Sequence, residues 1–155
     1  MANPIDIKTK APFPGGALSN LAPHAFVLDA ITCASMEGFL QGLKVADAGE
    51  QAVLCGLAGG EARERGQRHD WKTSGDLYWK GAPVDRLSDA YQVLLDRAYD
   101  ALFDQSSRFR SALSASGEAP LTHSIGKDDP TETILTTDEF ISRLLRLRAR
   151  LQAGS

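Results

Sequence analysis

The segment from residue 35 to residue 44 constrains the fold most, because its apolar and polar side chains separate cleanly at helical spacing. Apolar residues at i, i+4 and i+7 form a stripe suited to burial, namely Met36, Leu40 and Leu43. Polar residues repeat the spacing one position along, namely Glu37, Gln41 and Lys44. We predict an amphipathic helix that carries a carboxylate, an amide and an ammonium group along one edge.

Details within this segment sharpen the prediction. Ser35 is the expected N-cap, and Glu37 lies in the first turn, where the helix dipole favours an ionised carboxylate. Gly38 and Gly42 each cost about 1 kcal/mol relative to alanine inside a helix, so we expect another part of the chain to pack against this backbone. The spacing alone leaves open whether the polar edge binds a ligand or is a solvated Glu–Lys pair.

Length and charge limit the class of protein. A chain of 155 residues with 43% apolar and 24% charged residues predicts a single globular domain over residues 1–155. The net charge of −3 gives no electrostatic basis for non-specific binding of nucleic acid or anionic lipid, although a nucleotide-sized ligand needs only a few local cations. The sequence lacks a membrane-length apolar run and a signal-peptide pattern, so we expect a cytoplasmic protein with no membrane partner.

The cysteines and histidines do not form a metal-binding pattern. Cys33 and Cys55 stand alone, which predicts two buried, reduced thiols. His24, His69 and His123 are scattered along the chain. We therefore expect neither a metal site nor a cofactor.

The N-terminal third predicts extended structure ahead of the first helix. Residues 1–12 are expected to form an N-terminal arm, and the stretch near Ile5–Thr9 is interpreted either as part of an extended arm or as a short strand. Residues 26–33 are expected to form a small β-hairpin with its turn near Asp29 and Ala30, although neither is the glycine that tight hairpin turns prefer.

The rest of the chain predicts mainly helices. We expect further helices at Glu50–Leu57, at Glu61–Gln67, from Asp85 or Ser88 to Phe103, at Asp104–Ser114, and after a capping box at Thr136–Glu139. The residues expected to be buried on the last long helices are Leu87, Tyr91, Leu94, Leu95, Ala98 and Leu102, then Phe140, Leu144, Leu147 and Leu151. Pro120–Ser124 is a candidate strand. The predicted class is helix-dominated α+β, with a multihelical core.

Two features have more than one interpretation. Residues 68–84 contain both tryptophans with several Gly and Pro residues and are expected to form a long loop. Trp71 and Trp79 either fill the core beneath this loop or offer a face on which a nucleobase stacks. The arginines of the last helix either lie on its solvated face or meet an anionic partner.

Three segments together resemble the NADAR family, which is named for a link to NAD and ADP-ribose. They are Leu18-Ser19-Asn20, the Ser35–Lys44 helix with its Glu-x-x-x-Gln-x-x-Lys spacing, and Ala62-Arg63-Glu-Arg-Gly66-Gln67. The similarity extends over about residues 13–152. It weakens at residues 123–132, where this chain lacks the tryptophan and asparagine common in the family.

The resemblance implies hydrolysis of an N-glycosidic bond at a ribose that carries phosphate, in a protein of bacterial or phage origin. It implies a nucleotide-type small molecule or ADP-ribosylated nucleic acid as partner. The implied catalytic residues are Glu37, Lys44 and Asp128 (or Asp129), and the implied substrate-binding residues are Ser19, Asn20, Gln41, Arg63, Trp71 and Trp79, with Lys127 as a further candidate for phosphate. The alternative is a non-catalytic module that binds NAD or ADP-ribose.

Overall fold

Six α-helices and six short strands make up the regular structure of residues 2–154, the part of the protein that the computed structural model describes, together with a short 3-10 turn at Gly16–Leu18. The helices are α1 Met36–Gly42, α2 Ala48–Cys55, α3 Gly59–Gly66, α4 Asp89–Gln105, α5 Ser107–Ala115 and α6 Thr137–Ala153. The strands are β1 Ile5–Asp6, β2 Phe26–Leu28, β3 Ile31–Cys33, β4 Asp76–Trp79, β5 Ala82–Asp85 and β6 Leu121–Thr122. The helix-dominated α+β class is confirmed. Met1 and Ser155, the ends of the predicted domain, lie outside the described residues.

The predicted N-terminal hairpin is present, with its turn at the expected position. β2 and β3 pair antiparallel, with Leu28 opposite Ile31. Asp29 and Ala30 have φ angles of 49° and 66°, the left-handed region that a tight hairpin turn requires and that glycine usually occupies. Trp79 Nε1 donates a hydrogen bond of 2.7 Å to the Asp29 carboxylate, which also pairs with Arg97. These contacts hold the turn in a conformation that its own residues disfavour.

A second hairpin replaces much of the predicted loop at residues 68–84, and that prediction was wrong. β4 and β5 pair antiparallel, with Trp79 opposite Ala82. Leu77 and Trp79 are buried while Asp76 and Tyr78 are partly exposed, which is the period of a strand. Lys80 and Gly81 form the turn with φ angles of 54° and 85°. The glycine and proline residues mark this turn and an edge strand rather than a long irregular loop.

The N-terminal arm pairs with a distant part of the chain. β1 lies parallel to β6, with Ile5 opposite Leu121. The Asp6 carboxylate accepts hydrogen bonds from the Ser124 backbone N–H at 2.8 Å and from the Thr122 hydroxyl at 3.0 Å. The arm therefore holds residues 121–124 in place ahead of α6.

Side-chain caps explain where several helices begin. α2 begins two residues before its predicted start, because Asp47 accepts a hydrogen bond from Glu50 N at 2.8 Å. Ser106 caps α5 by accepting from Phe109 N at 3.1 Å, so α5 begins at residue 107 rather than 104. α4 begins after the Ser88 cap, which leaves Leu87 outside the helix and 64% exposed, contrary to its predicted burial.

The glycines of α1 are sites of close packing, as expected. A Cβ at Gly38 would lie 2.4 Å from the Leu57 carbonyl oxygen, and one at Gly42 would lie 2.7 Å from Cys55 Sγ. α2 thus packs directly on the α1 backbone. Cys33 and Cys55 are both free and fully buried, and the hydrogen bond with Cys55, together with burial, raises the pKa of the Cys33 thiol.

The capping box at the start of α6 is confirmed and is joined to β5. Thr136 Oγ1 accepts from Glu139 N at 3.0 Å, and Glu139 Oε1 accepts from Thr136 N at 2.8 Å. The buried Arg86 guanidinium donates to both Glu139 oxygens, at 2.7 and 3.0 Å. This bidentate pair fixes the position of the chain segment that precedes α6.

The arginines of α6 do not share a single solvated face. Arg143 and Arg148 are buried, and Arg148 donates to the Ala119 carbonyl oxygen at 2.8 Å. Arg146 and Arg150 lie on the surface and pair with acidic residues of α4. All four guanidinium groups therefore have partners within the protein, which favours an internal role over binding of an external anion.

Candidate functional site

A cleft of about 350 Å³ opens beside α1. Its lining comes from residue 9, the turn at residues 19–21, α1 with Lys44 just after it, α3 with Gln67 just after it, residues 71–72, residues 123, 125–127 and 132–135, and Phe140 of α6. The predicted site residues that line it are Ser19, Asn20, Glu37, Gln41, Lys44, Arg63, Trp71 and Lys127. The Asn20 turn and the α1 helix therefore meet in this cleft.

The start of α1 is held by two separate groups. Ser35 Oγ accepts a hydrogen bond from Gly38 N at 3.0 Å, which is the predicted N-cap. The Asn20 carbonyl oxygen accepts from Glu37 N at 2.9 Å. The turn that carries Asn20 is thus bonded directly to the residue that carries the carboxylate.

Gln41 orients Glu37. Gln41 Nε2 donates to Glu37 Oε1 at 2.7 Å, and the second carboxylate oxygen, Oε2, has no hydrogen-bond partner within residues 2–154. The Gln41 side chain is only 5% exposed, and its Oε1 is buried without a partner in that same part of the chain. This amide is directed at Glu37, so its contact with a substrate, as implied by the resemblance, is indirect.

Lys44 places a cation on the same wall of the cleft. Its Nζ lies 3.4 Å from the Gly66 carbonyl oxygen, at the end of α3. Burial lowers the pKa of the Lys44 ammonium from its usual range, the Glu37 charge opposes that effect, and the Lys72 charge adds to it. Lys44 therefore balances the Glu37 charge in a half-buried setting.

Tyr99 orients the Asn20 amide and was not predicted from the sequence. The buried Tyr99 hydroxyl donates to Asn20 Oδ1 at 2.7 Å. Burial raises the pKa of this hydroxyl well above its usual range, so it remains a donor. With Oδ1 occupied, the amide NH₂ is the group that Asn20 offers to a ligand. The apolar stripe predicted for α4 did not include Tyr99.

Ser19 uses its hydroxyl within the turn. Its Oγ accepts from Leu21 N at 3.2 Å and lies 3.3 Å from the Thr9 hydroxyl. Ser19 is 8% exposed. Its position supports a role in shaping the turn that carries Asn20.

The cleft has more positive than negative side chains, although the protein is negatively charged. The lining cations are Lys44, Arg63, Lys72 and Lys127, and the lining carboxylates are Glu37 and Glu132. Arg63 and Lys127 are exposed. Lys72 pairs with Glu132 at 3.2 Å, so this ion pair joins two segments of the lining. The arrangement suits a ligand that carries phosphate.

The two tryptophans have different environments, and only one of them lines the cleft. Trp71 is 5% exposed and contributes to the lining. Trp79 is absent from it, because the β4–β5 hairpin turns its ring against Phe39, with centroids 5.2 Å apart, and its indole N–H bonds Asp29. The implied substrate-binding role of Trp79 is therefore corrected: its side chain fills the core.

Asp128 does not contribute to the lining either. It is exposed, and neighbouring Asp129 accepts from Thr131 N at 2.9 Å in a local turn. Within this segment the lining side chains are instead those of His123, Ile125 and Lys127. The sequence showed a titratable residue at 123 but gave no sign that β1 and β6 would bring it to the cleft.

The structure is that of a helix-dominated α+β protein with a cation-lined cleft. A family model described as bacteriophage protein GP30.3 matches residues 12–149, and the chain belongs to that family. It is 40% identical over 152 residues to an uncharacterised 17.1 kDa protein from the Gp30–rIII intergenic region of Enterobacteria phage T4, covering 95% of this chain and 98% of that protein. These relatives support the expected phage or bacterial origin.

A solved structure shares the fold. The NMR structure of the Escherichia coli protein YbiA matches with a TM-score of 0.63 at 16% sequence identity, covering 98% of this chain and 86% of YbiA. At this identity the match establishes the fold alone. It supports the resemblance to the NADAR family at the level of the fold. Separately, no helix within residues 2–154 combines the length and apolar character needed to span a membrane.

Proposed function

We propose that this protein is an N-glycoside hydrolase that acts on an ADP-ribosyl or ribosyl-phosphate substrate, such as ADP-ribosylated guanine. The observation that carries the proposal is the setting of Glu37. One carboxylate oxygen is bonded by Gln41, the other has no partner within residues 2–154, and cations line the same cleft. The NADAR-like fold supports this class of reaction.

The chemistry requires a carboxylate of this kind. Cleavage of a ribosyl N-glycoside builds positive charge at C1′, and a fixed negative group beside that carbon stabilises the transition state. Glu37 serves either in this way or as the base that deprotonates the attacking water. Gln41 keeps the carboxylate in one orientation, so Oε2 is the atom that faces the reaction.

The remaining lining residues suit the other parts of such a substrate. Arg63 and Lys127, both exposed, are proposed to bind phosphate oxygens. The Asn20 NH₂ group is proposed to bind a ribose hydroxyl. Trp71 offers an apolar surface for the departing base, and Lys44 orients Glu37 or meets a phosphate.

The test is mass spectrometry of a substrate panel with the parent protein and Glu37→Gln. The panel contains NAD, a short single-stranded DNA that carries ADP-ribose on guanine, and a ribosylamine phosphate. We expect release of a free base or amine by the parent, and a loss of at least about 10²-fold in kcat in the variant, because the amide keeps the shape and removes the charge. Glu64→Gln, an exposed carboxylate on α3 outside the cleft, is the matched control.

Two results would contradict the assigned role of Glu37. One is equal turnover by Glu37→Gln and the parent protein. The other is an equal loss in the Glu64→Gln control, which would show a general effect of the substitution rather than a role for this carboxylate.

A binding module is the second candidate, and the exposed position of Asp128 outside the cleft favours it. The second carboxylate of the lining is Glu132, and it is paired with Lys72, so the described residues of the cleft do not offer the two free carboxyl groups that many glycosidases use. A non-catalytic protein would be stabilised by ADP-ribose according to RT ln(1 + [L]/Kd), about 2.7 kcal/mol at 100 Kd, with the melting shift constant over hours. If no substrate of the panel releases a base or amine and ADP-ribose produces such a shift, the binding module is the correct candidate.

A further inference from the structure

His123 lines the same cleft as Glu37 but comes from a different part of the chain. It follows β6, which the N-terminal arm holds in place by the β1–β6 pairing. It is partly buried and has no role in the function proposed above.

The ring of His123 is held in one orientation. Its Nδ1 lies 2.7 Å from the Ile7 carbonyl oxygen, and because a carbonyl only accepts, Nδ1 carries the hydrogen. Nε2 is then the ring nitrogen with the free lone pair. It has no hydrogen-bond partner within residues 2–154, and it is not among the polar atoms buried there without one.

Packing reinforces this orientation. The imidazole meets the Phe140 ring edge-on, with centroids 5.1 Å apart and an interplanar angle of 80°. The backbone of Gly126 folds over the ring so closely that a Cβ there would lie 2.6 Å from His123 Cδ2. Only glycine permits that approach. The backbone of residues 123–126 therefore packs closely around the imidazole and restricts its orientation.

From this geometry we propose that His123 is the general acid that protonates the departing base. The inference rests on the proposed function, which leaves open the source of the proton that a poor leaving group requires. Asp128, the residue implied by the resemblance, does not line the cleft, and Glu132 is paired with Lys72. Histidine is the side chain whose charge ordinarily changes near neutral pH, and this one has its exchangeable nitrogen unbonded.

The step balances without a further reactant. The C1′–N bond breaks, its electron pair goes to the base nitrogen, and that nitrogen takes the proton from His123 Nε2. Water adds its oxygen to C1′ and gives a proton to Glu37. Exchange with solvent then returns a proton to His123 and removes one from Glu37, so the net reaction is hydrolysis.

The surrounding charges are both positive and negative. The charged side chains that line the cleft with His123 are Glu37, Lys44, Arg63, Lys72, Lys127 and Glu132. Asp6 of β1 is bonded to Thr122 and Ser124, on either side of His123 in the chain. A pH profile therefore has to be compared between variants rather than interpreted alone.

The first test is His123→Asn, whose amide keeps a donor for the Ile7 carbonyl oxygen and has no titratable nitrogen. On a guanine N-glycoside, kcat should fall about 100-fold, and the alkaline limb of the parent's pH profile should disappear. His69→Asn is the matched control, because His69 lies outside the cleft and pairs with Glu50. It should behave as the parent does.

The second test varies the leaving group. The N7-methylated guanine glycoside carries a positive charge and releases a neutral base without protonation, so His123→Asn should slow it less than tenfold. Equal losses on both substrates, or an unchanged pH profile in His123→Asn, would overturn the role of His123 while base release by the parent upholds the proposed function. No base release by the parent protein would overturn both.

Discussion

At the scale of single residues, the contact between Gln41 and Gly66 controls the position of Glu37. α3 ends against α1 at Gly66, where a Cβ would lie 1.9 Å from Gln41 Oε1. The neighbouring Lys44 ammonium reaches the carbonyl oxygen of the same glycine. The packing at Gly66 therefore affects the positions of the Gln41 amide and the Lys44 ammonium group. Through the Gln41 amide it also affects the position of the Glu37 carboxylate.

Gly66→Ala should lower kcat by displacing the Gln41 amide, and overpacking should destabilise the protein by about 1–3 kcal/mol. Gly60→Ala on the same helix is the matched control, because nothing lies within 4 Å of its ideal Cβ. The control should keep full activity and melt no lower than the parent. Steady-state kinetics and thermal melting of both variants provide the measurement, and equal kcat in the two would show that the Gly66 contact is unimportant.

Single residues also show where sequence reasoning succeeded and where it failed. The roles of Ser35 and Glu139 followed from local caps, which involve backbone groups only a few residues away. The buried position of Trp79 could not be predicted from local sequence, because it depends on a turn at Lys80–Gly81 and on Asp29, 50 residues earlier. Trp71 and Trp79 have the same side chain, and only the β4–β5 hairpin places one in the cleft lining and the other in the core.

At the scale of elements, the β1–β6 pair is the link between the N-terminal arm and the cleft. Hydrogen bonds from the Ser124 side chain and backbone N–H lower the pKa of the Asp6 carboxyl group from 3.8 to about 2, although the residue is partly exposed. A carboxyl group with a lower pKa in the folded state stabilises the fold above its unfolded pKa and loses that effect as the pH falls through the folded value.

Asp6→Asn should therefore destabilise the protein at pH 5 to 7, and the difference from the parent should shrink as the pH falls from about 4 towards 2. Urea unfolding of both proteins across this range measures the effect. Parallel stability curves over the whole range would show that Asp6 does not link β1 to β6. Because Ser124 adjoins His123, the variant should also show altered kcat.

The α4–α6 pair shows that helix amphipathicity is only partly readable. The apolar stripe of α6 was predicted, and Phe140, Leu144 and Leu147 are buried. The burial of Arg143 and Arg148 was not predicted. It depends on oxygen atoms of other elements, which lie on α4 for Arg143 and after α5 for Arg148. Periodicity identifies the apolar face and says nothing of polar partners from other elements.

At the scale of the whole molecule, the distribution of charge around the cleft affects the binding of an anionic ligand more than the net charge of −3 does. Lys72 and Glu132, about half exposed, pair across two segments of the cleft lining. An anionic ligand would have to compete with Glu132 for the Lys72 ammonium. The Lys72–Glu132 ion pair would therefore weaken the binding of a phosphate group, because the phosphate would have to replace the Glu132 carboxylate at the Lys72 ammonium.

Glu132→Gln should lower KM for a phosphate-bearing substrate several-fold with little change in kcat, because Lys72 then lacks its competing partner. The effect should weaken as salt increases. Glu118→Gln removes the same charge from an exposed site outside the cleft and is the control. Kinetics at low and high salt are the measurement, and an unchanged KM, or equal changes in both variants, would rule out the competition.

The sequence by itself determined the helix-dominated class, the first hairpin with its turn at Asp29–Ala30, the α1 helix with its polar edge, and the capping box of α6. These features depend on side-chain periodicity and on hydrogen bonds within a few residues. It also placed Asn20, Glu37 and Lys44 together, through the resemblance of their motifs.

Only the tertiary structure decided which other side chains share the cleft. Tyr99 reaches Asn20 across 79 residues, and His123 is held by Ile7 across 116. Such contacts depend on how whole elements pack, and no local pattern encodes them. The tertiary packing therefore brings His123 to the cleft and leaves Trp79 and Asp128 outside it.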